Sequence, residues 1–361
     1  GVAEVYTSWL AQLSLSPGRL AQLVGFPLHR LQDAVDRIGK GELSCASDPR
    51  FKSDAWCHFP WRAYAESFRF LEEYWNLATK DISGLSPAHE RSISFAARQF
   101  LDALSPHNFI ATNPELAQKT WESGGQNLIQ GATNAFEDFK RNLAGDPPVG
   151  MEAFKIGENL ATAEGTVVYR NDLIELIQYA PQTKETYKEP VLIIPAWIMK
   201  YYILDLSPQN SLVKWLVAQG HTVFMVSWKN PTSDDRDKGM DEYVKNGALA
   251  AIDAVSSIVP NEKIHLAGYC LGGRLAMITA SLMAHEGDNR LKSLTLFAAQ
   301  GDFTEAGEIM LFVSHSEVAY LKSMMWSQGY LDTKQMAGAF QMLRSYDLIW
   351  SHMVNDYLLG D

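Results

Sequence analysis

The sequence has few cysteines, fewer basic than acidic residues, and no long apolar run. Its three cysteines, Cys45, Cys57 and Cys270, predict no disulfide framework and indicate a reducing compartment. The 31 basic residues are outnumbered by 42 acidic ones, which argues against nucleic acid as a partner because phosphate binding needs a basic face. The longest apolar run, 191–199, is too short for a transmembrane segment, and no secretion signal is visible. We therefore expect a cytoplasmic protein.

The chain changes character near residue 148. Before that point apolar residues recur mostly at helical spacing, and both Ser86-Pro87 and Asn113-Pro114 combine an N-cap with a first-turn proline. The segment Gly145-Asp-Pro-Pro148 then interrupts the helical pattern. We predict a helical N-terminal domain over residues 1–148 and a catalytic domain over residues 149–361.

After residue 148, apolar strands alternate with helices. Val191–Ile194 and Thr222–Trp228 are predicted to be buried strands, whereas Leu173–Tyr179 is polar enough to be predicted at a sheet edge. Ser207-Pro208 predicts the start of a helix that Gly220 ends. Alternation of this kind predicts an α/β fold, with a mostly parallel central sheet covered by helices on both faces.

The stretch KIHLAGYCLGGRLAM (263–277) carries the clearest chemical signal. A short apolar strand leads into a sharp turn with a thiol at its centre, and a helical pattern begins at Leu271. This is the strand–turn–helix of a nucleophile elbow, with G-x-C-x-G in place of G-x-S-x-G, so we predict an α/β-hydrolase fold. Gly268 and Gly272 leave room for the strained turn, and Gly273 lets the helix approach the strand.

Cys270 is the predicted nucleophile. The N-terminus of the helix that follows favours negative charge at this position, and the N–H of Leu271 is predicted to stabilise an oxyanion. The alternative is that Cys270 is an ordinary buried thiol in a glycine-rich turn. The flanking strand and helix favour the catalytic interpretation. Cys45 and Cys57 lie in a polar loop with too few further ligands for a metal site, so we interpret them as incidental.

Long stretches of the sequence resemble the polyhydroxyalkanoate synthases, and within them the single-polypeptide type that polymerises short-chain 3-hydroxyacyl units. The resemblance covers nearly everything after about residue 48. Its most specific stretches are FAARQFLDALSPHNFIATNPE (95–115), NLATAEGTVVYRNDLIELIQYAP (159–181), KYYILDLSPQNSLVKWLVAQGHTVFMVSWKNP (200–231), GYCLGG (268–273) and LRSYDLIWSHMVNDYLLG (343–360).

The resemblance implies roles for particular residues. Cys270 matches the position that carries the growing acyl chain as a thioester. Ile198 matches the position that supplies a second oxyanion N–H, although Ala196 and Met199 depart from the family's usual PPxINK motif. Asp205 and Asp302 match positions near the active site. Asp205 is more typical of a structural residue, and Asp302 precedes the position of the family's triad acid.

The acid and the histidine of the expected triad have no good candidate among these 361 residues. His285 is predicted at the end of the elbow helix, roughly four turns from Cys270 and too far to touch it. Neither His315 nor His352 follows a strand-then-loop pattern with an acid upstream. The resemblance implies that both groups lie beyond Asp361, so we expect the chain to be the N-terminal portion of a longer enzyme and inactive alone. We expect no metal and no cofactor, since coenzyme A belongs to substrate and product.

Three functions follow from these observations. The first is an acyltransferase that polymerises (R)-3-hydroxyacyl-CoA, such as 3-hydroxybutyryl-CoA, into polyester with release of CoA. The second is a cysteine-dependent esterase or thioesterase on the same elbow. The third is a non-catalytic subunit associated with polyester granules, favoured by the apolar N-terminal helices. The resemblance also implies a homodimer, a location at the granule surface in the cytoplasm, and contacts with granule-surface proteins.

Overall fold

The computed structural model describes residues 2–39, 48–313 and 315–361. It divides into two compact units. The first, here the helical unit, comprises residues up to Pro148 together with Gly307–Tyr320 and Lys334–Asp361. The second, the sheet unit, comprises Val149–Ala306 and Leu321–Thr333. Residues after 306 are thus shared between the two units. The sequence predicted a single division at residue 148, and the domain assignment stays a prediction.

The helical unit begins with six α-helices, as the apolar periodicity predicts. Ser86 and Asn113 cap the fourth and fifth, since their side-chain oxygens accept the N–H groups of His89 and Glu115. The helices are α1 Val2–Ser14, α2 Pro17–Gly39, α3 Trp61–Thr79, α4 Pro87–Ala103, α5 Pro114–Glu122 and α6 Gln126–Ala144. Short 3₁₀ helices span Pro49–Phe51, Asp54–Cys57, Pro106–Asn108 and Gly307–Phe312, and π-helical segments span Tyr346–Trp350 and Met353–Leu359.

A buried arginine holds several parts of the helical unit together. Arg50 lies 2.6 Å from Asp48, 2.7 Å from Glu72 and 3.6 Å from Asp102, with only 11% of its side chain exposed. Ser345 in turn donates a hydrogen bond of 2.9 Å to Asp102. Removing one member of such a network would leave a buried charge unpaired, which is far more costly than losing a surface ion pair.

The last residues of the chain pack against α6 through polar groups. Asn127 donates to the carbonyl oxygen of Leu358 at 2.7 Å, and the Tyr357 hydroxyl donates to Asp138 at 2.9 Å. Burial, followed by this hydrogen bond to Asp138, raises the pKa of Tyr357 to about 12. Gly131 is buried where a Cβ atom would overlap the Tyr357 carbonyl oxygen. A residue without a side chain is therefore required at this contact.

The sheet unit contains eight strands. Six form one sheet in the order β1-β2-β6-β3-β7-β8, and the other two form a small hairpin. The pairs β3–β6, β3–β7 and β7–β8 are parallel, whereas β1–β2 and β2–β6 are antiparallel. The strands are β1 Gly165–Arg170, β2 Ile174–Tyr179, β3 Val191–Ile194, β4 Asp205–Ser207, β5 Asn210–Ser211, β6 Val223–Trp228, β7 Ile264–Tyr269 and β8 Leu291–Phe297.

The mostly parallel sheet and its covering helices confirm the predicted α/β architecture. Side chains of alternate strand residues enter two separate apolar clusters, one on each face. The helices of this unit are α7 Leu212–Ala218, α8 Met240–Glu242, a π-helical segment Tyr243–Leu249, α9 Ala250–Ile258 and α10 Leu271–Glu286, with 3₁₀ turns at Met151–Ala153, Tyr201–Leu204 and Ser233–Asp235. Two more helices, α11 His315–Gln328 and α12 Thr333–Leu343, lie where the chain passes between units.

Three sequence-based predictions are wrong in detail. The strand at Leu173–Tyr179 is not at the sheet edge, because β1 pairs with its free side. The helix expected after Ser207 begins later, because residues 205–211 form a hairpin and Ser211 caps α7 by accepting the Lys214 N–H. The third concerns cysteine: Cys270 is free, but Cys57 is disulfide-bonded.

The disulfide contradicts the prediction that the cysteines form no disulfide and removes the argument for a reducing compartment. Cys45 lies outside the described residues. Among the residues that the structure describes, no helix combines the length and the apolar character needed to span a membrane.

Replacing Gly131 with alanine should destabilise the helical unit. The added methyl would overlap the Tyr357 carbonyl, so the backbone must shift, at a cost of about 1–3 kcal/mol in the free energy of unfolding. Gly338→Ala in α12 is the matched control, because nothing lies within 4 Å of its added Cβ. Urea unfolding of both variants tests this. Equal or greater stability of Gly131→Ala relative to Gly338→Ala would contradict the packing described here.

Candidate active site

Cys270 lies at the sharp turn between β7 and α10. Its backbone has φ 55° and ψ −121°, a conformation that residues with side chains rarely adopt. Such strain costs on the order of 1–3 kcal/mol and persists only where the surroundings enforce it. The Cys270 N–H donates to the Phe297 carbonyl at 2.9 Å, which ties the turn to the end of β8. The predicted elbow is therefore present, with a free, half-buried thiol at its apex.

Glycine is required at all three positions of the elbow because neighbouring atoms leave no room for a Cβ. A Cβ at Gly268 would overlap the backbone of Gly273, and a Cβ at Gly272 would overlap the Ile194 carbonyl oxygen. A Cβ at Gly273 would meet the side chain of Ala299. These contacts pack the first turn of α10 against the ends of β3 and β7.

The polarity of the parallel strands determines what can surround the thiol. Since β3, β6, β7 and β8 are parallel, the segments that follow them lie along one edge of the sheet. Cys270 follows β7, so this edge also holds the loop after β3 at 195–200, the residues after β6 from Lys229, and the segment after β8 from Ala298. Ligands of open α/β sheets bind at this edge.

A backbone N–H without a helical acceptor lies next to the thiol. Leu271 is the first residue of α10, so its N–H has no acceptor within the helix. The second predicted donor, Ile198, lies in the turn closed by a hydrogen bond from Met199 N–H to the Ala196 carbonyl at 3.1 Å. The start of this loop abuts the elbow, since a Cβ at Gly272 would also crowd the Pro195 carbonyl. The roles of Leu271 and Ile198 stay predictions.

An aromatic cluster that the sequence analysis missed supports this loop. Trp228, the last residue of β6, donates from Nε1 to the Pro195 carbonyl at 2.7 Å. Tyr243 lies with its ring centroid 5.3 Å from both Trp228 and Trp197. The signal available in the sequence was a tryptophan at the carboxyl end of a buried strand. The geometry of residues 195–200 thus depends on side chains from two other elements.

Asp205 is fully buried. Its carboxylate accepts the Ala163 N–H at 3.0 Å, and its backbone carbonyl accepts the Ala161 N–H at 2.9 Å. Burial, followed by the Asp205 charge, raises the pKa of Tyr179. Through these hydrogen bonds Asp205 fixes the position of the segment before β1. Its predicted place near the substrate stays a prediction.

Asp302 lies at the same sheet edge as Cys270 but is solvent-exposed. The hydroxyl and the N–H of Thr304 donate to its carboxylate at 2.6 and 2.8 Å and lower its pKa. This local turn fixes the side chain without burying it. Nearby, the Arg274 guanidinium lies 4.5 Å from the Phe303 ring centroid, so the segment after β8 contacts α10. Asp302 is exposed to solvent, and its role stays a prediction.

The described histidines of the sheet unit lie at the other edge of the sheet. His221 precedes β6 and His265 is the second residue of β7, so both are at the amino ends of their strands. His285 lies in the last turn of α10, about 14 residues or roughly 21 Å from its start. None has a hydrogen bond to Cys270 within the described residues. His352 belongs to the helical unit, where it pairs with Asp356 at 2.6 Å. The side chain of His315 lies outside the described residues.

Adding a methyl group at Gly272 should dismantle the elbow. In Gly272→Ala the methyl overlaps the Ile194 carbonyl, so α10 must move away and Cys270 loses its fixed conformation. We expect a loss of about 1–3 kcal/mol in stability and an altered rate of Cys270 alkylation by iodoacetamide. Gly301→Ala is the control, since its added Cβ meets only the flexible end of Met277 at 3.3 Å. Indistinguishable alkylation rates in the two variants would refute the role given to Gly272.

Two family models match the chain. The model described as the N-terminus of poly-beta-hydroxybutyrate polymerase matches residues 47–216, and the model of the alpha/beta hydrolase fold matches residues 189–325. A solved esterase from Rhizomucor miehei is similar over 52% of this chain and 57% of its own, with 17% identity and a TM-score of 0.31. The family model, together with the sheet and elbow, confirms the predicted α/β-hydrolase fold.

Curated relatives are similar over most of the chain. The poly(3-hydroxyalkanoate) polymerase of Methylorubrum extorquens is 40% identical over 87% of this chain and 52% of its own length. The polymerase subunit of Cupriavidus necator is 36% identical over 98% of this chain and 61% of its own. The chain therefore spans about half to three fifths of the length of these relatives. By these matches and the elbow motif, the chain belongs to the poly(3-hydroxyalkanoate) polymerase family.

Proposed function

We propose that the protein transfers (R)-3-hydroxyacyl groups from coenzyme A to a growing polyester, with Cys270 as the acyl carrier. The observation that supports this most directly is a free thiol at a nucleophile elbow, in a chain whose relatives are named poly(3-hydroxyalkanoate) polymerases. Thiols at such positions exchange readily with thioesters, because the entering and leaving sulfurs have similar basicity.

The reaction would proceed in two acyl transfers. In the first, the Cys270 thiolate attacks the thioester carbonyl, the C–S bond to coenzyme A breaks, and the coenzyme A thiolate leaves. In the second, the 3-hydroxyl of another acyl unit attacks the acyl-cysteine, loses its proton to a base, and releases the Cys270 thiolate. The N–H of Leu271 would stabilise the oxyanion of each tetrahedral intermediate, with Ile198 as the second donor.

The base for the second transfer comes from outside the described part of the sheet unit. Its described histidines lie at the edge of the sheet opposite to Cys270, and Asp302 is an exposed carboxylate with a lowered pKa, which makes it a weak base. A positioned histidine contributes about 10²–10⁴-fold to such a proton transfer. The first transfer needs no such group once the thiolate has formed.

The product determines where the protein would act. A polyester of many 3-hydroxyacyl units is water-insoluble, so elongation takes place at the surface of a polymer particle. We propose that the protein works at the surface of cytoplasmic polyester granules as a homodimer, and that other granule-surface proteins share that surface. The exposed apolar side chains of the helical unit support such contacts.

Loss of the thiol should abolish polymer formation in the complete enzyme. Cys270→Ala should fall below about a hundredth of wild-type activity, because removing a nucleophile removes the covalent step, and Cys270→Ser should retain little. Ser281→Ala on α10 is the matched control, since its hydroxyl bonds only to the Met277 carbonyl in its own helix. The assay follows CoA release from 3-hydroxybutyryl-CoA together with polymer yield. Activity above that level in Cys270→Ala would overturn the assignment, and CoA release with free hydroxy acid would indicate a hydrolase.

The 361-residue chain alone should acylate once and stop. We expect a sub-stoichiometric burst of CoA from 3-hydroxybutyryl-CoA and an acyl adduct on Cys270, because the first transfer needs only the thiolate and the oxyanion donors. Intact-mass spectrometry locates the adduct, with Cys270→Ala as the control. Sustained release with growing polymer would contradict the proposed need for a base from elsewhere.

A further inference from the structure

Helix α6 packs with its polar face inward. Asn134 donates to the Asp356 carbonyl at 3.0 Å, Asn127 and Asp138 bond to residues 357–358, and Gly131 abuts the Tyr357 backbone. A surface helix ordinarily buries its apolar stripe and exposes its polar face. The polar and small residues of α6 contact other parts of the helical unit, whereas its apolar residues are left exposed.

The outward face of α6 is apolar and regularly spaced. Ile129, Phe136, Phe139 and Leu143 are 70%, 68%, 62% and 75% exposed, and Ala132 is exposed between the first two. These five residues, here the α6 seam, follow one another at intervals of three, four, three and four. That is the a/d spacing of a coiled coil, which places a continuous stripe against a second helix. The seam carries no charge, so it does not fit a strongly charged partner.

The seam contains an open apolar groove. It is lined by Leu128, Ile129, Ala132, Thr133 and Phe136, of which Ala132 has the smallest side chain. In an antiparallel pair of identical helices, a positions face d positions, so Ala132 faces Phe136 of the other helix and Ile129 faces its Phe139. Each phenylalanine at 136 then fills the groove of the opposite copy. A parallel pair would instead place Ala132 against Ala132 and leave that groove empty.

Charge and area agree with a second copy. In an antiparallel pair e positions adjoin e positions, so Lys140 lies beside the uncharged Gln126 and Thr133 of the other helix. Glu137 pairs with Lys140 and Arg141 of its own helix, so no like charges meet. Two exposed phenylalanines and two aliphatic side chains present on the order of 500 Å² per copy. Their mutual burial removes on the order of 1,000 Å², about the minimum for a biological interface.

We propose that the α6 seam is a self-association surface, in which α6 of one copy packs antiparallel against α6 of a second copy with Phe136 in the groove at Ala132. The surface belongs to the helical unit, whereas the residues assigned to chemistry belong to the sheet unit. The inference gives an interface to the homodimer of the proposed function, and it is independent of the reaction at Cys270. The limited area implies a dimer whose formation depends on concentration.

The test is sedimentation velocity of the 361-residue chain over a range of concentrations. Phe136→Glu should raise the dimer dissociation constant at least about tenfold, since it places a charge in the central layers. Phe100→Glu is the matched control, because Phe100 is also an exposed helical phenylalanine of this unit, at 59%. Circular dichroism checks that both variants fold. A wild-type chain that stays monomeric, or a Phe136→Glu variant that dimerises like wild type, would overturn the proposal.

A second pair of variants tests the antiparallel arrangement. Ala132→Phe should weaken the dimer, because two phenylalanines then meet in one layer, and adding Phe136→Ala should restore it by exchanging the large and small partners. A parallel pair would be strengthened by Ala132→Phe, since the empty layer is filled. A seam that binds an apolar surface instead would leave the chain monomeric and make Ala132→Phe bind phosphatidylcholine vesicles more tightly. Either of the last two results would refute the proposed packing.

Discussion

The close approach of the first turn of α10 to the central sheet is the constraint on which the candidate site depends. Gly268, Gly272 and Gly273 allow backbone to meet backbone around Cys270, and the hydrogen bond from Cys270 to Phe297 fixes the turn from the other side. The same contact brings the loop after β3 against the helix N-terminus. The packing of α10 against the sheet therefore positions both the Cys270 thiol and the Leu271 N–H.

Local sequence patterns predicted this part of the molecule well because its constraints are local. A buried strand, a glycine-rich turn and an apolar helical stripe are each readable within a few residues, and β7, Cys270 and α10 lie where those patterns place them. The contact from Trp228 to Pro195 joins residues 33 positions apart. No periodicity or capping rule specifies such a contact, so the support of the 195–200 loop could not be predicted.

The wrong predictions have the same origin. The polarity of β2 suggested a sheet edge, but strand order is decided by pairing between segments, and β1 covers that side. Ser207-Pro208 has the composition of a helix start, yet the pairing of β4 with β5 delays the helix until Ser211 provides the cap. The number of cysteines likewise did not reveal that Cys57 is disulfide-bonded.

The direction of the parallel strands also determines which polar groups lie near Cys270 and which lie at the opposite edge of the sheet. Strand ends place Cys270, the Leu271 N–H and Asp302 along one edge. His221, His265 and His285 lie at the other edge, where the amino ends of the strands and the C-terminus of α10 meet. In the proposed reaction, forming an acyl-cysteine needs only the first set of groups. Elongation also needs a base to accept the proton of a hydroxyl. The residue that acts as this base must lie near Cys270, at the carboxyl edge of the sheet. The position of Cys270 therefore fixes the position of the base.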